Sequence, residues 1–314
     1  MIVNRVTPLF LTLAALAATG CGDGTTTPGD PNRDRLEITF GYAGKSGPSL
    51  LIASMDLFQM TKDGRLVTPF VSTPYIERSP QWSNDGEKIL FTNLGSDGAS
   101  IWAANADLTG IRQVRVDAND QDYGSWSPKG DSIAFGGMIS DTEYGILVMD
   151  DAGSGVRLVA QGGSWPSWSI NGRIAFSKDG AIWTVNPDGS GLLRATSVAS
   201  GEYDELPQWS RDGSKLVFIH VVPADNPYGR DFDVVTIRAD GTDRRTLVAH
   251  SINPSASWSP DGKYILYEQQ DTSDPDPNHP RCSLYEISAD GGASVKLTPN
   301  RGFGLCGGAS WRPM

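Results

Sequence analysis

Only His220, His250 and His279 in the 314-residue sequence carry a side chain that titrates near physiological pH without help from its surroundings. Nucleophilic catalysis by Ser or Cys needs a partnered base. Neither a Gly-x-Ser-x-Gly elbow nor a His-Glu-x-x-His pair occurs, so no catalytic residue is assigned and the chain reads as a non-enzyme. Isolated loop histidines are ordinarily surface residues, and their spacing does not make these three converge on a metal; no metal ligand or cofactor is assigned. A second group has different chemistry. Glu77, Arg78, Asp122, Tyr123, Trp165, Tyr203, Asp204, Glu205 and Asn253 all lie within six residues upstream of a recurring tryptophan. Carboxylates, one guanidinium and aromatic faces gathered in a ring suit a cation, a basic peptide segment or a sugar. The blander reading is solvated loop charge on an acidic protein.

What must position these residues is a repeat. Aligned on tryptophan, the chain reads PQWSNDGEKILF (80–91), GSWSPKGDSIAF (124–135), PSWSINGRIAF (166–176), PQWSRDGSKLVF (207–218) and ASWSPDGKYILY (256–267), with a sixth start, ASWRPM, at the end. The tryptophans Trp82, Trp126, Trp168, Trp209, Trp258 and Trp311 are 44, 42, 41, 49 and 53 residues apart, a propeller-blade period. The second half of each unit is an alternating strand, an Asn/Asp/Gly turn and another short strand, as in AIWTVNPDGSGLLRAT. Each unit thus supplies four strands. Asp-Gly and Asn-Gly pairs provide the positive φ that tight hairpins need. The same turns resemble calcium loops superficially, but the distal bidentate Glu is missing and turn chemistry accounts for them.

The two ends complement each other. LEITFGY and SMDLFQMTKDGRLVTPF supply the second to fourth strands of a blade lacking its first, and the terminal ASWRPM supplies a first strand lacking the rest. The expected fold is therefore all-β: a six-bladed β-propeller of four-stranded blades over 36–314, closed by pairing the C-terminal strand with the N-terminal blade strands. Tight Asp-Gly turns occupy one face. The other carries loops of unequal length, with long ones expected over 219–233 and 268–283, and any ligand is expected there.

Residues 1–20 carry one charge, Arg5, and an apolar run from Val6 to Ala18, which reads as a signal peptide. Small residues precede Cys21 as in a lipoprotein cleavage site, with Ala18 where Leu is usual; ordinary secretion is the alternative to lipidation. Residues 21–35 then form a lipidated Cys and a flexible polar tether. Assigning Cys21 to lipid leaves Cys282 and Cys306 to form a disulfide in an oxidising compartment, or to remain two buried thiols. With 26 Lys+Arg against 37 Asp+Glu and a formal net charge of -11, the molecule repels phosphate backbones, so no nucleic-acid partner is expected.

From Leu36 to Met314 the repeats resemble the TolB-type, WD40-like (PD40) propeller repeat, whose consensus is similar to xPxWSPDGxxIxF followed by IxxxNxDGxxxxxLT. The resemblance implies a six-bladed propeller, often periplasmic, some of whose relatives serve envelope complexes through protein–protein contact. The amino-terminal helical domain of TolB has no counterpart here, which weakens a Tol–Pal role. Other propellers with this repeat resemble oligogalacturonate lyases, which use a His-based metal site; for that reading His220, His250 and His279 are the candidates. The expected function is a monomeric, non-catalytic binding or scaffolding module, exported and anchored at the cell envelope as a periplasmic or cell-surface lipoprotein. Its partner would be an envelope protein or a small ligand. The alternative is a carbohydrate-binding or lyase-like propeller.

Overall fold

A computed structural model describes residues 36–42, 55–64, 67–96, 98–114, 121–138, 143–226, 229–251, 255–271, 281–298 and 306–313, all within one compact unit spanning Asp34–Met314. The period-2 pattern after each Asp-Gly turn sets the core. Its Ile/Leu column, Ile38, Ile89, Ile133, Ile174, Leu216 and Ile265, is 0% exposed throughout. The aromatic two residues on, at Phe40, Phe91, Phe135, Phe176, Phe218 and Tyr267, is equally sealed. Alternation places both columns on one side of the strand, where they pack between neighbouring blades.

Six four-stranded antiparallel sheets result, five of them in simple sequence order. Blade 2 runs Ile76–Trp82, Lys88–Gly95, Gly98–Asn105 and Arg112–Gln113; blade 3 runs Asp122–Trp126, Ser132–Met138, Tyr144–Asp150 and Arg157–Gln161. Blade 4 comprises Ser164–Trp168, Ile174–Lys178, Ala181–Val185 and Leu193–Arg194. Blade 5 comprises Tyr203–Trp209, Lys215–Pro223, Arg230–Arg238 and Arg245–Ser251, and blade 6 Ala256–Trp258, Tyr264–Asp271, Arg281–Ser288 and Val295–Lys296. Blade 1 is the exception that closes the ring. Its second to fourth strands are Leu36–Tyr42, Asp56–Thr61 and Val67–Val71, while its first is the C-terminal Cys306–Trp311, paired antiparallel to Leu36–Tyr42. First strands touch first strands all the way round, from blade 1 through blade 6 and back. The closing pair is tight because it has no side chains to separate it. A Cβ on Gly41 would stand 2.8 Å from Gly307 Cα, and one on Gly307 would stand 2.4 Å from Met55 Sδ.

The Trp-Ser-x-Asp-Gly turns are held by a repeated hydroxyl. Ser83, Ser210 and Ser259 donate to Asp85, Asp212 and Asp261 at 2.6, 2.6 and 2.7 Å, and Ser127 donates to Asp131 at 2.8 Å. Each hydroxyl also accepts the backbone N–H that opens the next strand, as with Lys88 N to Ser83 Oγ at 2.9 Å. These turns therefore need no ion to hold their shape.

On the opposite face much of what reads as long loop over 219–233 is strand. Lys215–Pro223 and Arg230–Arg238 pair residue for residue to Pro223↔Arg230, because the β-branched Ile219 and Val221 lie opposite Val234 and Phe232 across the hairpin. In the same way Glu268–Asp271 pairs with Arg281–Leu284. The calls on Cys21, Asn253 and His279, and those on residues 1–35, lie outside the described residues.

Candidate functional site

The first strand of a blade is not a regular ladder. Pairing with the second strand slips between Arg78 and Gln81, Asp122 and Ser125, Ser164 and Ser167, and Glu205 and Gln208, and the closing strand slips between Cys306 and Ala309. At each slip the residue three before the tryptophan is left-handed: Ser79 (φ 54), Tyr123 (φ 53), Trp165 (φ 55), Leu206 (φ 56) and Gly308 (φ 83). A β-bulge with an αL residue thus recurs in five blades and breaks the alternation of the side chains around it. Tyr, Trp and Leu pay a steric penalty there that Gly does not.

At blades 2 to 4 the bulges gather four of the sequence candidates. Arg78 Nη2 donates to Asp122 Oδ2 at 2.6 Å, and its guanidinium lies 5.7 Å from the centre of the Tyr123 ring. Asp122 Oδ1 also accepts from Thr92 Oγ1 (2.7 Å) and from Tyr123 N (2.9 Å). Burial raises the Asp122 carboxyl, against the pull of Arg78. Tyr123 and Trp165 meet edge to face at 5.9 Å, and burial raises the Tyr123 phenol. Arg78, Tyr123 and Trp165 are half-buried, so the ion pair and both rings stay partly accessible to solvent.

One residue further from the tryptophan the side chains are buried instead. Glu77 and Asp204 are 0% and 1% exposed, and their backbone N–H groups bond to Met55 and Gly180 of the preceding blades at 2.7 and 3.0 Å. Asp204 is the hub of blade 5. Its carboxylate bonds to His220 Nδ1 at 2.8 Å and takes both Nη groups of Arg244 at 3.1 Å. His220 Nε2 stands 3.6 Å from Glu202. Tyr203 accepts from Arg230 at 2.6 Å, and Glu205 is half-buried and raised by that burial, with Arg230 opposing. His250 is exposed on the fourth strand of blade 5, held at 2.6 Å by Asp231, whose carboxylate raises it. Each described histidine therefore has its own aspartate. Among the described residues no three His, Cys, Asp or Glu side chains converge as a metal site.

Two polar residues escape sequence reasoning. Thr92 anchors Asp122. Glu268, 3% exposed, accepts from Ser255 Oγ (2.8 Å) and from Gly308 N (3.2 Å), tying blade 6 to the closing strand, and burial lifts it to about 7. Repeat alignment puts both in one column with Gly41, Gly136, Ser177 and Ile219. A carboxylate in a column of small and apolar residues is the signal that was there to find.

Fold and site together define the class: a six-bladed β-propeller that carries a polar and aromatic cluster on the first strands of blades 2 to 4. No family model matches the sequence. The architecture is similar to that of TolB from Acinetobacter baumannii (TM-score 0.73, 19% identity, covering 90% of this chain and 68% of that one) and of a putative TolB from Agrobacterium tumefaciens (TM-score 0.62, 18% identity, covering 90% and 99%). In sequence, 156 residues are 34% identical to an uncharacterised protein from Agrobacterium fabrum, covering 45% of this chain and 52% of that protein. A TolB homolog from Chlorobium luteolum is 29% identical over 140 residues, 43% of this chain and 31% of that protein. An oligogalacturonide lyase from Pectobacterium atrosepticum is 25% identical over 154 residues, 45% and 38%. The chain thus spans about half or less of the curated relatives it matches.

Proposed function

We propose that this chain is a non-catalytic binding or scaffolding propeller of the bacterial envelope, recognising a protein segment or small ligand through its loop face at blades 2 to 4. The observation that carries this reading is the junction of Arg78 and Asp122 with Tyr123 and Trp165, brought from three blades into one half-buried patch. A fixed ion pair beside an aromatic edge recognises a polar group and an apolar surface at once, and its geometry is held before a ligand arrives. The TolB-like neighbours support a binding role over catalysis. Export, lipid attachment at Cys21, a tether over 21–35 and a monomeric state belong to the same proposal. So does pairing of Cys282 with Cys306, supported by the disulfide-bonded state of Cys282 on the third strand of blade 6, beside the closing strand that Cys306 begins.

The test is affinity capture from envelope extracts with the wild-type protein and with Arg78→Ala/Trp165→Ala, followed by identification of what is retained. A partner held by the wild type and lost by a variant that melts normally supports the proposal.

Sequence likeness to an oligogalacturonide lyase and the Glu202–His220–Asp204 arrangement favour a second reading, a carbohydrate-active propeller. Incubation with uronic-acid and neutral oligosaccharides, with and without divalent metal, decides it. Absence of both binding and turnover would remove that reading.

A further inference from the structure

Equivalent junctions between blades are not equally filled. Between blades 2 and 3, Lys88 Nζ donates to Gly130 O and to Asp151 Oδ2, both at 3.1 Å, and lies 5.3 Å from the centre of the Trp126 ring. Lys215 holds the same place in blade 5, for it and Lys88 are each the sixth residue after their tryptophan. Its counterpart acid is gone. Asp151 N bonds to Asp131 O at 3.0 Å, and the matching bond in blade 6 runs from Ala289 N to Lys263 O at 2.8 Å, so Ala289 stands in the place of Asp151. Among the described residues the Lys215 ammonium makes no ion pair or hydrogen bond, and no cation covers Trp258. What the Trp-Ser-x-Asp-Gly turns of blades 5 and 6 enclose instead is a cavity of about 310 Å³, lined by Arg211, Ser214, Lys215, Trp258, Pro260 and Gly262 together with the turn aspartates.

The acids nearby are engaged elsewhere. Asp212 accepts from Ser210 Oγ at 2.6 Å and Ser214 N at 3.0 Å, and Asp261 from Ser259 Oγ at 2.7 Å and Lys263 N at 3.1 Å. Asp243, whose charge also reaches Lys215, is held by Arg245 at 2.7 Å. Asp85, the counterpart of Asp212, caps its own turn in the same way and does not keep Lys88 from Asp151. Arg211 adds a second cation, bonded to the neutral Asn84 O. We propose that this cavity binds a small organic acid, whose carboxylate takes the Lys215 ammonium as Asp151 takes that of Lys88 and whose flat apolar body lies against Trp258 and Pro260. Its volume is at the small end of the range for ligand sites. It lies among the tight turns and shares no residue with the cluster on blades 2 to 4, so it stands or falls independently of the ligand bound there.

The test titrates sodium benzoate, with benzamide as its uncharged counterpart, into the isotope-labelled whole protein and follows the Trp258 indole resonance, identified by its loss in Trp258→Phe. The expected result is a saturable shift, half complete at about 1–10 mM benzoate for a ligand of this size. Benzamide should bind at least about tenfold more weakly, because it lacks the charge that strengthens the hydrogen bond. Lys215→Met, which keeps the stem and removes the ammonium, should weaken benzoate by the same factor. Ala289→Asp, which returns the acid to the junction, should block benzoate. No saturable shift with the wild type overturns the proposal, as does an equal response to benzamide or an undiminished response in either variant once it is shown to be folded.

Discussion

Single carboxyl groups in this molecule are tuned in opposite directions, and each direction predicts a pH dependence. The hydroxyl bonds at the Asp-Gly turns hold Asp85, Asp131 and Asp212 below the usual carboxylate range. Stability from these groups is present above the unfolded value of 3.8 and is lost as acid protonates the folded state. Glu268 works the other way. Its folded value of about 7 exceeds the unfolded 4.5, so the native state binds the proton more tightly. Its contribution is therefore present below 4.5 and lost as pH rises through about 7. Melting curves across this range should show the wild type losing at least ~1 kcal/mol relative to Glu268→Gln as the medium becomes alkaline; parallel profiles would contradict the assignment. Asp204 gives a sharper test of burial. Asp204→Ala strands Arg244 and His220 and should cost about 3–5 kcal/mol in denaturant unfolding.

At the scale of the strand, the repeat's alternation does the stabilising and its bulge does the positioning. Phe176, on the second strand of blade 4, is 0% exposed and packed in the core cluster with Ile146, Val148, Val159 and Val185. Phe176→Ala should cost about 3–5 kcal/mol by chemical denaturation. The bulge is strained at non-glycine residues, and Ser79, with φ 54 and a small half-buried side chain, isolates that strain. Ser79→Gly should leave stability unchanged or raise it by up to ~1 kcal/mol, against the usual penalty for glycine in a strand. Tryptophan spacing, the Gly-containing turns and the alternating Ile and Phe columns were all legible in the sequence, because each is a local pattern repeated five or six times. The bulge was not, since Ser, Tyr, Trp and Leu share no propensity for the left-handed region. Without it, residues before the tryptophan look equivalent, whereas the structure buries Glu77 and Asp204 and leaves Arg78 and Trp165 half-buried. The partners Arg244 and Thr92 were equally hidden, because each meets its target only through the packing of one strand or blade on another, whereas Glu268 was marked only by its repeat column.

For the whole molecule, closure by the C-terminal strand is what makes six sheets into one cooperative body. Removing residues 306–314 deletes the first strand of blade 1, exposes the edge of Leu36–Tyr42 and strips Glu268 of its Gly308 bond. Thermal melting of that truncation should show a large loss of stability or no cooperative transition. Closure also supports the cluster, because Arg78, Asp122, Tyr123 and Trp165 come together from the first strands of neighbouring blades. The most direct test of the account is therefore capture from envelope extracts by the wild type beside Arg78→Ala/Trp165→Ala and a control pair on the turn face, Arg157→Ala/Leu158→Ala. The account predicts that a retained partner is lost with the mouth variant and kept with the control, all three proteins remaining folded. Equal retention by all three, or loss only with the turn-face control, would contradict it.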